Sequence, residues 1–237
     1  MNILITGASK GIGKAIALTF CKKTNHTLFL VSRDENLLKE LKIQCEALNP
    51  DCLVFEYPFD LGNYSGVREL AEKIMLQAGK IDILINNAGT LVNKRFGDFS
   101  EKEIASMFNI NFFAPANLIR YLIPALSGAE KAHVVNIGSM GGFQGSLKFP
   151  GLTYYSASKA ALGVLTECLA VEFKNSGISF NCLALDAVQT KMFSDAFPGA
   201  RASVEPSEMA EFIIDFALMT NHSLNGKIIP VSLHNPK

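Results

Sequence analysis

The sequence has no excess of charge of either sign and no long hydrophobic run. Its 237 residues carry 22 Lys and Arg against 22 Asp and Glu, so the formal net charge is zero. A neutral chain has no broad field that would attract nucleic acid or an anionic membrane, and we expect neither partner. Although 49% of the residues are hydrophobic, no apolar run is long enough to cross a bilayer. The start of the chain lacks the basic and apolar segments of a signal peptide, and we expect a cytoplasmic protein.

The cysteines and histidines show neither disulfide-framework nor metal-site spacing. The five cysteines are an odd number without a CxxC pair, and we interpret them as reduced thiols, most of them in the core. The four histidines are scattered and form no HExxH pattern, so we expect no metal site. These residues are Cys21, Cys45, Cys52, Cys168 and Cys182, and His26, His133, His222 and His234.

What the sequence does have is a regular alternation of strand and helix patterns. Short apolar runs alternate with amphipathic stretches of roughly 12–25 residues, which is typical of βαβ crossovers. Continuous apolar runs suit strands that helices cover on both faces. With no internal repeat or linker, we predict one doubly wound α/β domain over residues 1–237 with a seven-stranded parallel sheet. The predicted strands are Asn2–Thr6, Thr27–Ser32, Leu53–Tyr57, Ile81–Asn86, His133–Ile137, Ser179–Leu185 and Ile228–Val231.

One long helix is predicted from Ser100 to about Leu126, with a kink near its middle. Ser100 and Glu103 have the spacing of a capping box. Pro115 follows Asn111 by four residues and has no N–H, so the Asn111 carbonyl loses its usual partner. We therefore predict a kink near Asn111, with one carbonyl free to bind water.

The first strand runs into a glycine-rich turn, Thr6–Gly13, which a helix follows at once. Glycines permit a tight turn and close approach of the backbone to a pyrophosphate, and the helix N-terminus offers free N–H groups. An ordinary tight βα turn is the alternative interpretation. The candidate dinucleotide-binding residues of this turn are Gly7, Ser9, Lys10, Gly11, Ile12 and Gly13.

Arg33 stands at the end of the second predicted strand, where NAD enzymes place an acidic residue on the ribose 2′-hydroxyl. A cation at this point suits the 2′-phosphate of NADP, and Lys10 supplies a second positive charge. Either cation alone could be a solvated surface residue. Together they favour NADP(H) over NAD(H), while Asp34, directly after Arg33, keeps NAD(H) open.

Tyr155 and Lys159 are four residues apart in a helix predicted to run from Tyr155 to about Asn175, so they share one face. Lowering a tyrosine pKa from 10 by about 3 units requires roughly 4 kcal/mol. One cation about 4 Å away supplies close to that in a partly desolvated cleft and only about 1 kcal/mol in water. We expect Lys159 to make Tyr155 a usable proton donor. Taken alone, this spacing is common and usually structural.

Five motifs in this order resemble the short-chain dehydrogenase/reductase family, and the resemblance spans nearly the whole chain. They are Thr6–Gly13, Asn86-Asn87-Ala88-Gly89, Ile110-Asn111, Asn136-Ile137-Gly138-Ser139 and Tyr155–Lys159. The resemblance implies a Rossmann fold and direct hydride transfer between nicotinamide and a carbonyl or alcohol carbon, with Tyr155 as the acid–base. Within the family, the chain is similar to NADPH-dependent carbonyl and 3-oxoacyl-carrier-protein reductases and to sepiapterin-reductase-like enzymes.

The resemblance also implies roles for single residues. Ser139 resembles the serine that bonds the substrate oxygen, and Asn111 the asparagine whose carbonyl holds a relay water near Lys159, which would also bind the nicotinamide ribose. Thr190 resembles the threonine that contacts the carboxamide. The other implied cofactor-binding residues are Asp60 and Leu61 beside the adenine, Asn87, Ala88 and Gly89 in the cofactor groove, and Val188.

The substrate and the assembly state are less specified. We expect an apolar cleft for a small carbonyl or alcohol, and the family resemblance implies a homodimer or homotetramer built through the two long helices. Leu185-Asp186 stands where the family usually has Pro-Gly. The residues expected to border the substrate are Met140, Phe143, Leu147, Phe149, Leu152, Met192, Phe193 and Phe197.

Two alternatives remain beside a reductase. Sugar-nucleotide epimerases and dehydratases share Tyr-x3-Lys, but they generally use Gly-x2-Gly-x2-Gly and add a substrate domain, which this chain's glycine spacing and length argue against. A nucleotide-sensing regulator would keep the fold and lose the chemistry.

Overall fold

The structure, a computed structural model, describes residues 1–23, 26–219 and 224–232. His222 and His234 lie outside these residues. The described chain forms seven parallel strands in the order β3-β2-β1-β4-β5-β6-β7. The strands are β1 (Asn2–Thr6), β2 (Thr27–Ser32), β3 (Leu53–Pro58), β4 (Ile83–Asn86), β5 (Ala132–Ile137), β6 (Ile178–Leu185) and β7 (Lys227–Val231). The helices are α1 (Gly11–Lys23), α2 (Glu35–Leu48), α3 (Val67–Ala78), α4 (Glu101–Phe108), α5 (Ala114–Ser127), α6 (Thr153–Glu172), α7 (Lys191–Ala196) and α8 (Pro206–Ala217).

Both faces of the sheet are buried, which explains the continuous apolar runs of its strands. Ile3 and Ile5 of β1 belong to the hydrophobic core that also contains residues of α1, α2 and α8. Leu4, between them, belongs to the second core, with residues of α3, α5 and α6. The predicted doubly wound arrangement is confirmed, because alternate side chains of one strand reach helical layers on opposite faces.

The winding direction reverses at β1, which pairs with β2 on one side and β4 on the other. In open parallel sheets, ligands bind in the crevice outside the carboxyl ends of the strands at such a reversal. The strand ends around it carry Thr6, Asn86 and Ile137. The fold therefore brings three of the sequence motifs to one edge.

The predicted strands are confirmed, two with unchanged bounds and five shifted by at most two residues at an end. The predicted capping box is also present, since the Ser100 hydroxyl accepts from the Glu103 N–H at 3.3 Å and Glu103 accepts from the Ser100 N–H at 2.9 Å. The predicted kink is a π-helical segment, Asn109–Phe113, between α4 and α5. In the described residues, no helix combines the length and the apolar character needed to cross a bilayer.

Four of the five cysteines are buried, as expected, and all five are free thiols in the structure. Cys168, on the outer face of α6, is exposed instead. Within the described part of the chain, no cluster of His, Cys, Asp or Glu is arranged to hold a metal ion.

Candidate active site

A cleft of about 760 Å³ opens at the carboxyl ends of the strands. Every candidate catalytic or cofactor-binding residue lines it except Gly13 and Asn111, which lie directly behind its wall. The lining candidates are Gly7, Ser9, Lys10, Gly11, Ile12, Arg33, Asp60, Leu61, Asn87, Ala88, Gly89, Ser139, Tyr155, Lys159, Val188 and Thr190. The fold thus collects residues from separate parts of the sequence into one site.

The glycine-rich turn is pressed against the segment that follows β4. Gly7 has φ +66°, and a Cβ there would lie 2.8 Å from the Ala88 Cα, so only glycine fits. At Gly13 a Cβ would lie 2.3 Å from the Gly7 carbonyl oxygen. The Asn87 amide donates to the Thr6 and Gly7 carbonyls at 2.9 and 3.2 Å, which fixes this contact. Gly13 therefore allows the first turn of α1 to pack closely against Gly7, and the N-terminus of α1 faces the cleft.

One end of the cleft carries two cations. Lys10 from the turn and Arg33 from the end of β2 both line it. The hydroxyls of Ser9 and Ser32 share a hydrogen bond of 2.6 Å, which joins the turn to the end of β2. Asp34 instead caps α2, since its carboxylate accepts from the Leu37 N–H at 3.2 Å. The acidic residue is therefore engaged in a helix cap, whereas both cations line the cleft.

At the other end, Ser139 and Tyr155 come from two segments in backbone contact. Ser139 precedes a short helical turn, Met140–Gly142, and accepts from the Gly141 N–H at 3.1 Å. A Cβ at Gly142 would lie 2.6 Å from the Ala160 nitrogen of α6. Burial raises the pKa of the Tyr155 phenol, and a hydrogen bond with the Ser139 hydroxyl partly offsets this. The two hydroxyls are close enough to act on one substrate atom.

Lys159 is 5% exposed, and its ammonium donates to the Ile137 carbonyl at 2.7 Å. Burial lowers the pKa of this lysine to about 8. The expected lowering of the Tyr155 pKa is wrong. Burial of the phenol raises this pKa by more than the hydrogen bond with Ser139 lowers it. Lys159 nevertheless lines the same cleft as Tyr155.

Asn111 is fully buried in the π-helical segment, behind Gly89 and Lys159. Its side-chain oxygen accepts from the Thr90 N–H at 2.8 Å, and its amide donates to the Thr90 carbonyl and the Ser158 hydroxyl, both at 2.9 Å. A Cβ at Gly89 would lie 3.4 Å from both the Asn111 Oδ1 and the Lys159 Nζ. Asn111 therefore fixes the cleft wall beside the lysine.

The predicted substrate side of the cleft is lined mainly by apolar side chains, although Lys191 and Asp195 of α7 also line the cleft. Six of the eight residues predicted to border it do so: Met140, Phe149, Leu152, Met192, Phe193 and Phe197. The prediction is wrong for Phe143 and Leu147, which do not line the cleft. Leu147 is 67% exposed, and the Lys148 ammonium donates to the Phe143 carbonyl instead of facing the cleft.

Sequence reasoning missed a bridge across the substrate side. The Asn93 amide donates to the Ala196 carbonyl of α7 at 2.9 Å. The next residue, Lys94, donates its N–H to the Gly151 carbonyl at 3.1 Å. Gly151 has a positive φ of +87°, and nothing in the sequence indicates that it belongs to this contact. The bridge ties the segment after β4 to two borders of the cleft, the approach to α6 and the end of α7.

Asp186, which replaces a glycine of the family pattern, also lines the cleft. Its N–H donates to the Val231 carbonyl at 2.9 Å, and its carboxylate accepts from the Ala187 N–H at 2.8 Å and the Ser232 hydroxyl at 2.5 Å. Asp186 therefore joins the segment after β6 to the end of β7.

The chain resembles known oxidoreductases in sequence, as its site geometry indicates. The profile of the short chain dehydrogenase family matches residues 1–200. An uncharacterized oxidoreductase of Staphylococcus saprophyticus is 31% identical over 228 residues, which are 96% of this chain and 95% of that protein.

Two solved structures have the same fold. L-sorbose reductase from Gluconobacter frateurii, complexed with NADPH and L-sorbose, has a TM-score of 0.86 at 24% identity, covering 98% of this chain and 94% of that one. ElxO with NADP bound has a TM-score of 0.83 at 26% identity, covering 97% and 96%. The chain belongs to the short-chain dehydrogenase family of oxidoreductases.

Proposed function

We propose that this protein is an NADP(H)-dependent carbonyl reductase that transfers a hydride to a small, apolar ketone or aldehyde. One observation carries the proposal: a single cleft holds a glycine-rich turn with two cations at one end and Ser139, Tyr155 and Lys159 at the other. The distribution matches a ligand with phosphates at one end and a reacting ring at the other.

The residues present fit NADP(H). The α1 N-terminus would hold the pyrophosphate, because its free N–H groups and partial positive charge favour an anion. Lys10 and Arg33 would hold the 2′-phosphate, and the engagement of Asp34 in the α2 cap supports NADP(H) over NAD(H). Asp60 and Leu61 would flank the adenine, Asn87 to Gly89 the ribose groove, and Val188 and Thr190 the nicotinamide.

The bound cofactor supplies the hydride, and the chain's own residues handle the proton. Tyr155 would donate its phenolic proton to the carbonyl oxygen, while the Ser139 hydroxyl holds that oxygen by a hydrogen bond. With a pKa of about 8, Lys159 keeps most of its charge near neutral pH and would favour the phenolate left on Tyr155. Asn111 would position the cleft wall beside Lys159 and so support the return of a proton to Tyr155.

The cleft lining supports an apolar substrate. Met140, Leu152 and Phe193 line the substrate side together with three further apolar side chains. Small-molecule sites are mainly apolar, with few polar groups that set orientation. Ser139 and Tyr155 would supply that orientation at the carbonyl.

Fluorescence titration with NADPH and NADH, followed by turnover assays on a carbonyl panel, tests the proposal. We expect tighter binding of NADPH and oxidation of NADPH by apolar ketones or aldehydes. Failure to bind either nucleotide would refute the proposed cofactor. Tight binding without turnover across the panel would favour the nucleotide-sensing regulator.

We also propose a homodimer or homotetramer assembled through α5 and α6. Val164, Cys168 and Val171 are exposed on one face of α6, at positions i, i+4 and i+7. An exposed apolar helix face is typical of a subunit contact. Light scattering after size-exclusion chromatography should give a dimeric or tetrameric mass, and Val171→Lys should lower it.

A further inference from the structure

Three buried thiols meet at the amino end of the sheet, away from the cleft. Cys21 lies in the last turn of α1, Cys45 in α2, and Cys52 just before β3. Each is at most 1% exposed. The sulfurs of Cys21 and Cys52 are 2.9 Å apart, and the Cys21 thiol also has a side-chain hydrogen bond with Cys45. The proposed reaction uses none of these groups.

Backbone and side-chain hydrogen bonds fix this arrangement. The Asn49 side chain donates to the Cys21 carbonyl at 3.0 Å. The Asn49 N–H donates to the Cys45 carbonyl at 3.0 Å, and the Cys52 N–H donates to the Asn49 carbonyl at 3.0 Å. Asn49 therefore holds both helices and the start of β3 together. A disulfide bond is about 2.05 Å long, so the sulfurs of Cys21 and Cys52 need to approach by only about 0.9 Å.

We propose that Cys21 and Cys52 form a redox site, at which a peroxide closes an intramolecular disulfide between α1 and the start of β3. The Cys52 sulfur attacks one peroxide oxygen and breaks the O–O bond, which gives a sulfenic acid and one water. The Cys21 sulfur then attacks the sulfenic sulfur, forms the S–S bond and releases the second water. The two sulfurs lose two electrons, the peroxide gains them, and both thiol protons leave in water.

The order of these steps follows from the thiol contacts. The hydrogen bond from Cys21 lowers the pKa of Cys52, whereas hydrogen bonds with Cys45 and Cys52, together with burial, raise the pKa of Cys21. The thiolate is the nucleophile, so the Cys52 sulfur attacks the peroxide first. Cys52 also has exposed neighbours on both sides, Asp51 and Leu53, so a small local opening admits a peroxide.

The disulfide would act on stability and leave the cleft unchanged. It would close a loop of about 30 residues that contains β2 and α2, and such a constraint lowers the entropy of the unfolded chain. The cleft lies at the carboxyl ends of the strands, whereas Cys52 precedes the amino end of β3. We therefore expect a higher melting temperature, by about 5–10 °C, with nucleotide affinity changed less than about twofold.

The test treats the full-length chain with dilute hydrogen peroxide in a Cys168→Ser background, which removes the exposed thiol and its cross-links between chains. Free thiols are then alkylated, and peptides are mapped by mass spectrometry without reduction. We expect a linked Cys21–Cys52 peptide and the higher melting temperature, both reversed by dithiothreitol. Cys45→Ala should retain both changes, and Cys52→Ala should lose both.

Unlinked Cys21 and Cys52 after oxidation, or linkage of either one to Cys45, would overturn the proposal. If Cys52→Ala does not fold, the reduced and oxidised forms of the Cys168→Ser protein still decide the question, because the linked peptide and the melting shift are measured on that protein alone. None of these readouts depends on the proposed enzymatic activity.

Discussion

The Lys159 ammonium donates to the Ile137 carbonyl at 2.7 Å, which ties the helix that carries Tyr155 to the strand that leads to Ser139. A buried cation is costly unless it is hydrogen-bonded, and this carbonyl supplies one partner. The bond holds the amine at the carboxyl end of β5, in the wall of the cleft.

Tyr155→Phe should reduce turnover by at least about a hundredfold and leave NADPH affinity nearly unchanged, because it removes only the phenolic hydroxyl that donates the proton. The matched control is Tyr154→Phe. Tyr154 packs on Phe96 and Phe99 at ring distances of 5.4 and 5.0 Å and does not line the cleft. Steady-state kinetics and nucleotide titration measure both effects. Equal activity of the two variants would remove Tyr155 from its proposed role.

Arg33→Asp should reverse the preference for NADPH over NADH. The substitution removes a charge-assisted contact with the 2′-phosphate and adds a repulsive carboxylate, so NADPH affinity should fall at least about tenfold. The control is Arg68→Asp on α3, where the arginine pairs with Glu72 in solvent. Titration of each variant with both nucleotides gives the ratio. An unchanged ratio in Arg33→Asp would mean that other residues hold the 2′-phosphate.

Lys159 should make stability rise with pH above about 8. Burial lowers its folded-state pKa from 10.5 to about 8, so between these values the unfolded chain binds more protons than the folded chain. Under that condition the free energy of unfolding increases with pH. Relative to Lys159→Met, the protein should gain about 2 kcal/mol between about pH 7.5 and about pH 9.5. Urea unfolding without nucleotide measures this, and parallel profiles of the two proteins would contradict it.

Asn93→Ala should weaken substrate binding more than nucleotide binding. It removes the hydrogen bond to the Ala196 carbonyl, so the end of α7 is less firmly held over the substrate side. One neutral hydrogen bond corresponds to roughly a 2–10-fold rise in KM, with nucleotide Kd unchanged within about twofold. Exposed Asn175→Ala serves as the control. A loss confined to nucleotide affinity would show that the bridge does not act on the substrate side.

The sequence predicts the sheet well because its strands depend on local patterns. The β1 and β2 bounds agree because an apolar run and its flanking turns mark each end. The predicted Ile81–Asn86 strand begins at Ile83 in the structure, because the Ile81 N–H bonds the distant Ala125 carbonyl instead of a neighbouring strand. Partners so far apart in the chain leave no local signal.

The same limit applies to the cleft border and to the thiol cluster at the opposite end of the sheet. The Asn93–Ala196 bridge and the Cys21–Cys52 contact join segments whose spacing matches no motif. The pKa of Tyr155 also depends on burial by surrounding residues, which the four-residue spacing to Lys159 does not reveal.

The absence of a side chain at Gly142 lets the segment after Ser139 touch the α6 backbone near Ala160. This contact between main chains therefore holds close together the two segments that carry the Ser139 and Tyr155 hydroxyls. Substitutions in α7 or around Phe149 can reshape the entrance while that contact stays unchanged. In an evolving lineage, the range of molecules accepted can drift while the chemical step is conserved.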